Sequence, residues 1–163
     1  MEDCLFCKIA RGEIPCHKVY EDDRVIAFAD INPVSEGHTL VVPKTHAENL
    51  FEISGEDLAA VHLAAQRILH AMKKALNPVG VAVLQLNGRG VNQIVMHYHV
   101  HLIPRASGAP ELPVSHWGAR EGDPEALKAI AEKIEKEEAA LAEVSRREEA
   151  VLTYLEVAKN RYI

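Results

Sequence analysis

The amino-acid sequence predicts an α+β protein, an antiparallel sheet of about five strands with one packed helix, followed by a long C-terminal helical extension. Three observations predict it. Short apolar segments, several alternating with period two, lie between turn-rich stretches, as strands do. A single segment, residues 54–76, repeats apolar residues at three- and four-residue steps. Finally, residues 125–163 contain neither Gly nor Pro and keep close to a heptad rhythm.

The elements follow in order. Cys4-Leu5-Phe6-Cys7 opens the chain with a spacing that lets two sulfurs converge. It suits half of a zinc site, a redox pair or two incidental buried cysteines. Cys16 and His17 read as unrelated surface or loop residues. Lys18–Glu21 and Arg24–Phe28 flank the polar turn Asp22-Asp23 as a hairpin. Asp30–Gly37 is a loop, and His38–Pro43 is a third strand ended by proline. Ser54 caps the helix with Asp57 as the capping-box acid; Leu58, Val61, Ala65, Ile68, Leu69, Met72 and Leu76 form its stripe, and Asn77-Pro78 ends it. His62 and His70 read as exposed helical histidines. Val81–Leu86 is a buried strand, Asn87–Asn92 a turn, and Gln93–Pro104 the strand that pairs back antiparallel.

Ala106–Gly122 is loop-like, and Asp123-Pro124 starts a helix as cap and first-turn proline. Leu127, Ile130, Ile134, Leu141, Val144, Val151 and Leu155 then form a stripe interrupted by Glu137 and Glu148, on one long helix or two shorter ones. Such a stripe must lie on the domain or on another subunit. The expected organisation is a domain over residues 1–122 and a helical extension over 123–163.

The chain has 163 residues, 48% of them apolar and 26% charged, with a formal charge of −6 and a pI near 5.8. That balance argues against non-specific nucleic-acid binding, which needs a basic surface, but leaves room for a small anionic ligand at a local site. No apolar run is long enough to span a membrane. An acidic start without an apolar signal core predicts a cytoplasmic protein. Three cysteines, an odd number, do not suggest a secreted disulfide framework.

The chemistry concentrates in His97-Tyr98-His99-Val100-His101. On a strand the three imidazoles share one face, with neighbours about 6.5–7 Å apart. The row suits an accidental surface pattern, a metal site built from all three, or nucleophilic attack on phosphorus by a neutral imidazole. The surroundings favour the third, because Asn87, Gln93 and the Gly88–Gly90 turn could donate to non-bridging oxygens as charge develops there.

Taken together, the motifs resemble the histidine-triad (HIT) family, especially its nucleoside phosphoramidase branch with bacterial and archaeal members. The resemblance covers residues 3–122. It rests on Cys4-x-x-Cys7-Lys8-Ile9, Gly12-Glu13-Ile14-Pro15, Val19-Tyr20-Glu21-Asp22, Phe28-x-Asp30-Ile31-Asn32-Pro33, Gly37–Lys44, Asn87-Gly88, Gln93, the histidine row and Pro104-Arg105.

The resemblance implies roles. His99 is the nucleophile that takes up the nucleoside monophosphate. His101 binds phosphate oxygen and assists the leaving group, and His38 supports the row from a neighbouring strand. Asn87 and Gln93 bind phosphate oxygens, and Asp30 accepts from both ribose hydroxyls. Phe28, Ile31, Ile14 and Val19 form the slot for the base. Cys4, Cys7, His46 and His97 hold a structural zinc, which removes His97 from nucleophilic duty. The implied protein is a cytoplasmic homodimeric hydrolase of nucleoside 5′-phosphoramidates, with adenosine as the expected purine, working through a nucleotidylyl-histidine intermediate. A dinucleoside polyphosphate hydrolase or phosphorylase and a nucleotide-binding scaffold with little turnover are the rival expectations.

The chain departs from the family pattern at Asn92, where glycine usually precedes the glutamine, and at Ile94, where some phosphoramidases carry a serine that helps protonate the amine. The tail after Gly122 is longer than usual. His116-Trp117 matches the C-terminal His-Trp of eukaryotic members, whose tryptophan approaches the partner's site.

Overall fold

The apolar runs become a five-stranded antiparallel sheet because each can bury one or both faces. In the computed structural model, which describes residues 3–110, 112 and 123–161, the sheet contains β1 (Lys18–Glu21), β2 (Val25–Ala29), β3 (Thr39–Pro43), β4 (Gly80–Leu84) and β5 (Val100–Arg105), in the order β1-β2-β3-β5-β4. A short helix α1 (Leu5–Ala10) precedes the sheet, and α2 (Gly55–Leu76) lies between β3 and β4. Contacts divide the chain into two units, Met1–Pro110 and Glu111–Ile163.

Period two sorts the sheet's side chains onto two faces. Val25, Ala27, Val41, Val100 and Leu102 join Tyr98 against Val61, Ala65, Ile68 and Met72 of α2. Ile26, Phe28, Leu40 and Val42 point the other way and pack with Phe6 and Ile9 of α1. Val25, Val41, Val42, Val100 and Leu102 are wholly buried, each contributing roughly 1.5–3 kcal/mol of transfer free energy. The functional residues gather on the α1 face.

Local signals set the boundaries. Asp22 Oδ1 accepts from the backbone N–H groups of Arg24 (2.9 Å) and Val25 (2.7 Å), which fixes the first hairpin turn. Ser54 Oγ accepts from Asp57 N at 3.1 Å to cap α2, and Asn77 at φ 44° ends it. Gly37 takes φ 81°, a conformation that strains any other residue, and a Cβ there would lie 2.5 Å from Leu76 Cδ1, which would have to move aside. The turn into His38 can therefore rest directly on the end of α2.

Several boundaries differ from the sequence expectation. Helix α1 forms across the Cys-x-x-Cys segment, where no helix is expected from so short a stretch. Strand β4 ends at Leu84 rather than Leu86, and β5 starts only at Val100. His97 and His99 therefore lie in an irregular approach, because the backbone there bonds outside the ladder: Tyr98 N donates to Ala47 O (2.6 Å) and His97 N to Val95 O (2.9 Å). The alternation of sides still holds, with Tyr98 facing α2.

The C-terminal segment is one helix, α3 (Pro124–Arg161), with Asp123 Oδ1 accepting from Glu125 N at 3.0 Å. Leu127, Ile130, Ile134, Leu141, Val144 and Val151 are exposed. Among the described residues, no helix is long and apolar enough to cross a membrane. His116, Trp117 and the expected boundary at residue 122 lie outside the described residues.

Candidate functional site

Two sites adjoin along the histidine segment. The first gathers Cys4, which caps the start of α1, Cys7 within it, His46 from the loop after β3, and His97. His97 Nδ1 lies 3.3 Å from Cys4 Sγ, 3.4 Å from Cys7 Sγ and 3.3 Å from His46 Nδ1; Cys7 Sγ is 3.4 Å from His46 Nδ1. Tetrahedral zinc, about 2.3 Å from sulfur and 2.0–2.1 Å from nitrogen, sets nitrogen–nitrogen and nitrogen–sulfur edges of roughly 3.3–3.6 Å. The donor set fits such an ion in a second way. His97 Nε2 is 2.9 Å from Pro43 O and donates to it, so Nδ1 turns its lone pair toward the sulfurs. Burial holds the His97 imidazole neutral, with its pKa lowered to about 4, and burial together with Cys4 raises the Cys7 thiol to about 11. A cation between the two sulfurs would reverse that second effect.

The second site is a cavity of about 490 Å³ on the α1 face, within the range of small-ligand pockets. His99, Asp30, His38 and His101 line it, with Phe28, Ile14 and Ile31. His99 is buried, its ring edge-on to Phe6 (5.2 Å) and to His101 (4.9 Å). His99 Nδ1 donates to His97 O at 2.6 Å, which fixes the tautomer and leaves the Nε2 lone pair free. Burial lowers its pKa, so the ring is neutral near pH 7.

His38 and His101 form a chain of ring nitrogens. Val34 N donates to His38 Nδ1 (3.4 Å). His38 Nε2 then carries the proton and donates to His101 Nδ1 at 2.9 Å, so the His101 proton resides on Nε2. Burial, with His99 and His38 nearby, lowers the His101 pKa to about 4. Asp30 Oδ1 accepts from Asn32 N (2.8 Å), while Oδ2 lies 3.5 Å from His38 Nδ1.

Three expected nucleotide contacts are not brought to this cavity. Val19 sits where the β1–β2 register shifts between Lys18 and Tyr20, and this bulge leaves it 51% exposed at the sheet edge. Asn87 turns to the loop after β3: its Oδ1 accepts from Leu50 N (2.7 Å) and its Nδ2 donates to Gln85 Oε1 (2.7 Å). Gln93 is 1% exposed. Its Oε1 accepts from Gly88 N (2.6 Å), and its Nε2 donates to Glu48 O (2.5 Å). Both amides have backbone and side-chain partners and brace the loops around the site.

Other residues enter the wall unannounced. Cys16, read as an unrelated loop residue, lines the cavity with Ile14 and Pro15, a placement that no sequence pattern marks. Phe6, Asn92, Ile94 and Val95 also line it. His62 is exposed, yet its Nε2 meets Tyr98 Oη at 3.1 Å, a contact that no sequence pattern marks.

The HIT domain family model matches residues 11–108, more than half of the chain. The chain belongs to the HIT family. This HIT protein is 48% identical over 104 residues to Protein hit of Bacillus subtilis, covering 64% of this chain and 72% of that one. It is 41% identical to adenosine 5'-monophosphoramidase hnt1 of Schizosaccharomyces pombe, over 80% of this chain and 95% of the other. It is 43% identical to adenylylsulfatase HINT3 of Arabidopsis thaliana, over 63% of this chain and 52% of that one. The last two relatives are named as hydrolases. Among solved structures, a HIT family protein from Bacillus anthracis superposes with a TM-score of 0.73 at 40% identity, over 83% of this chain and 97% of that one. A zinc-bound histidine triad family protein from Mycobacterium smegmatis gives 0.66 at 33% identity, over 75% and 85%.

Proposed function

We propose that this HIT protein is a zinc-containing nucleotide hydrolase that cleaves nucleoside 5′-phosphoramidates, with adenosine as the expected nucleoside, through a nucleotidylyl intermediate on His99. The observation that carries this reading is the 2.6 Å bond from His99 Nδ1 to His97 O. It orients a neutral imidazole whose Nε2 is free to attack.

The base enters between Ile14 and Phe28, and Asp30 accepts from the ribose hydroxyls. His99 Nε2 attacks phosphorus as the P–N bond breaks, His101 Nε2–H donates to a phosphate oxygen, and the amine leaves with a proton taken up from solvent. Water then attacks phosphorus, its proton returns to solvent, and the P–Nε2 bond breaks to release the mononucleotide. Among the described lining residues there is no Lys or Arg, which disfavours a polyphosphate leaving group. A zinc ion held by Cys4, Cys7, His46 and His97 would tie α1 to the histidine segment and fix the carbonyl that orients His99. The relative named as a monophosphoramidase and the zinc-bound neighbour support these two readings.

We also propose a cytoplasmic homodimer. Three unpaired thiols suit a reducing compartment. Strand β4 is a sheet edge with exposed Val83 in it and exposed Val79 just before it, a surface that a second copy would cover. Rapid quenching with adenosine 5′-phosphoramidate, followed by mass spectrometry, tests the chemistry. An adenylyl group on His99 is expected. Modification elsewhere, or turnover retained in His99→Ala, would overturn it.

A further inference from the structure

The apolar stripe of α3 differs in period from that of α2. The buried face of α2 includes the adjacent pair Ala64 and Ala65 beside Val61, Ile68 and Met72, the wide band by which a helix of 3.6 residues per turn lies on a sheet. On α3 the steps are strictly three and four. Leu127, Ile134 and Leu141 take the first position of a heptad and Ile130, Val144 and Val151 the fourth, with Glu137 and Glu148 at the two remaining places. A straight helix would carry such a seam around its axis by about 20° per heptad. A second helix of the same period keeps the seam buried by supercoiling with it. The six apolar members are 54–71% exposed. They run for about 36 Å and more than three heptads, long enough for a coiled coil.

The flanking charges select the partner helix and its direction. Between residues 127 and 152 the seventh heptad positions carry Lys133 and Arg147 but no acid, and the fifth positions carry Glu138 but no base. An antiparallel pair of such helices sets seventh against seventh and fifth against fifth, and so offers like charges or none. A parallel pair in register brings each seventh position to the fifth of the next heptad on the other helix. Lys133 of each copy then meets Glu138 of the other, twice by symmetry. Arg147 borders the layer where Glu148 faces its counterpart. Its ion pair with Glu143 on its own helix is exposed, so little opposes an exchange of partner.

We propose that α3 pairs with α3 of a second copy of this chain as a parallel, in-register coiled coil. This contact is separate from the β4 edge and independent of the chemistry at His99. Leucine at first positions with branched residues at fourth positions favours four strands. Four helices would gather four carboxylates in each glutamate layer, however, and burying unpaired charge is costly, so the pair is the better solution.

The test uses the full chain with either Val144→Cys, at a fourth position, or Ala139→Cys, at a sixth position on the outer face. Each is oxidised with glutathione disulfide and read by non-reducing electrophoresis, with wild type controlling for Cys4, Cys7 and Cys16. In the parallel pair the two 144 positions face each other within the roughly 4.4–6.8 Å between Cα atoms that a disulfide spans, while the 139 positions point apart. Val144→Cys should cross-link two chains about 10-fold or more faster than Ala139→Cys. Adding Lys133→Glu should slow that cross-link, and adding Glu138→Lys as well should restore it. Equal rates at the two positions, no cross-link above wild type, or a rate that Lys133→Glu leaves unchanged overturns the proposal.

Discussion

His38 Nε2 and His101 Nδ1 lie 2.9 Å apart across adjoining strands. The register that pairs Leu40 with His101 brings together two histidines separated by more than sixty residues. His38 is a positioning residue in this arrangement, since it holds the His101 proton on the nitrogen that faces the cavity. His38→Ala should lower kcat about 10-fold or more with little change in KM, and should move the pH profile of kcat. His38→Gln, which can still donate, should retain more activity. A uniform loss across pH with a raised KM would contradict this role.

Gln93 should prove to be a stability residue. Removing its amide leaves the Gly88 N–H and Glu48 C=O without these partners, and an unsatisfied buried group costs about 1–3 kcal/mol. Urea unfolding of Gln93→Ala should show a loss of about 2–4 kcal/mol. Unchanged stability with only a raised KM would return Gln93 to phosphate binding.

The zinc set predicts a linked loss of metal and stability. Purified protein should contain about one zinc per chain. Cys4→Ala should lose that metal and lower Tm by roughly 10 °C, since metal binding free energy becomes folding free energy. A Cys4→Ala protein with full metal content would remove Cys4 from the ligand set.

Stability should also fall in mild acid. The His101 pKa is lowered from 6.5 to about 4 in the folded protein by burial, then by His99 and His38. Between those values the unfolded chain binds a proton at His101 that the folded chain refuses. Its contribution is therefore present above the unfolded pKa and lost as pH falls toward 4. Denaturant unfolding from pH 7 to pH 4.5 should show a steeper decline in wild type than in His101→Phe, by up to about one proton. Equal slopes would mean that His101 titrates normally.

Much of the fold was legible because it rests on local periodicity. The Ser54 cap, the α2 stripe and the strand hairpin follow from side chains a few residues apart. Helix α1 was not, because six residues are too few to show a period. The early strand start in the histidine row failed for another reason. Tyr98 N bonds to Ala47 O, a partner that only the folded chain supplies.

By itself the sequence determined which residue types were available and on which side of the histidine segment they fall, since alternation survives even where regular pairing stops. Tertiary structure alone decided their partners. It placed Cys4 and Cys7 against His97, gave the Asn87 and Gln93 amides partners in neighbouring loops, and set Val19 at a bulge on the sheet edge. The physical reason is that a buried polar side chain takes whichever donor or acceptor lies within hydrogen-bond reach, and that distance is set by packing across the sheet, not by spacing along the chain.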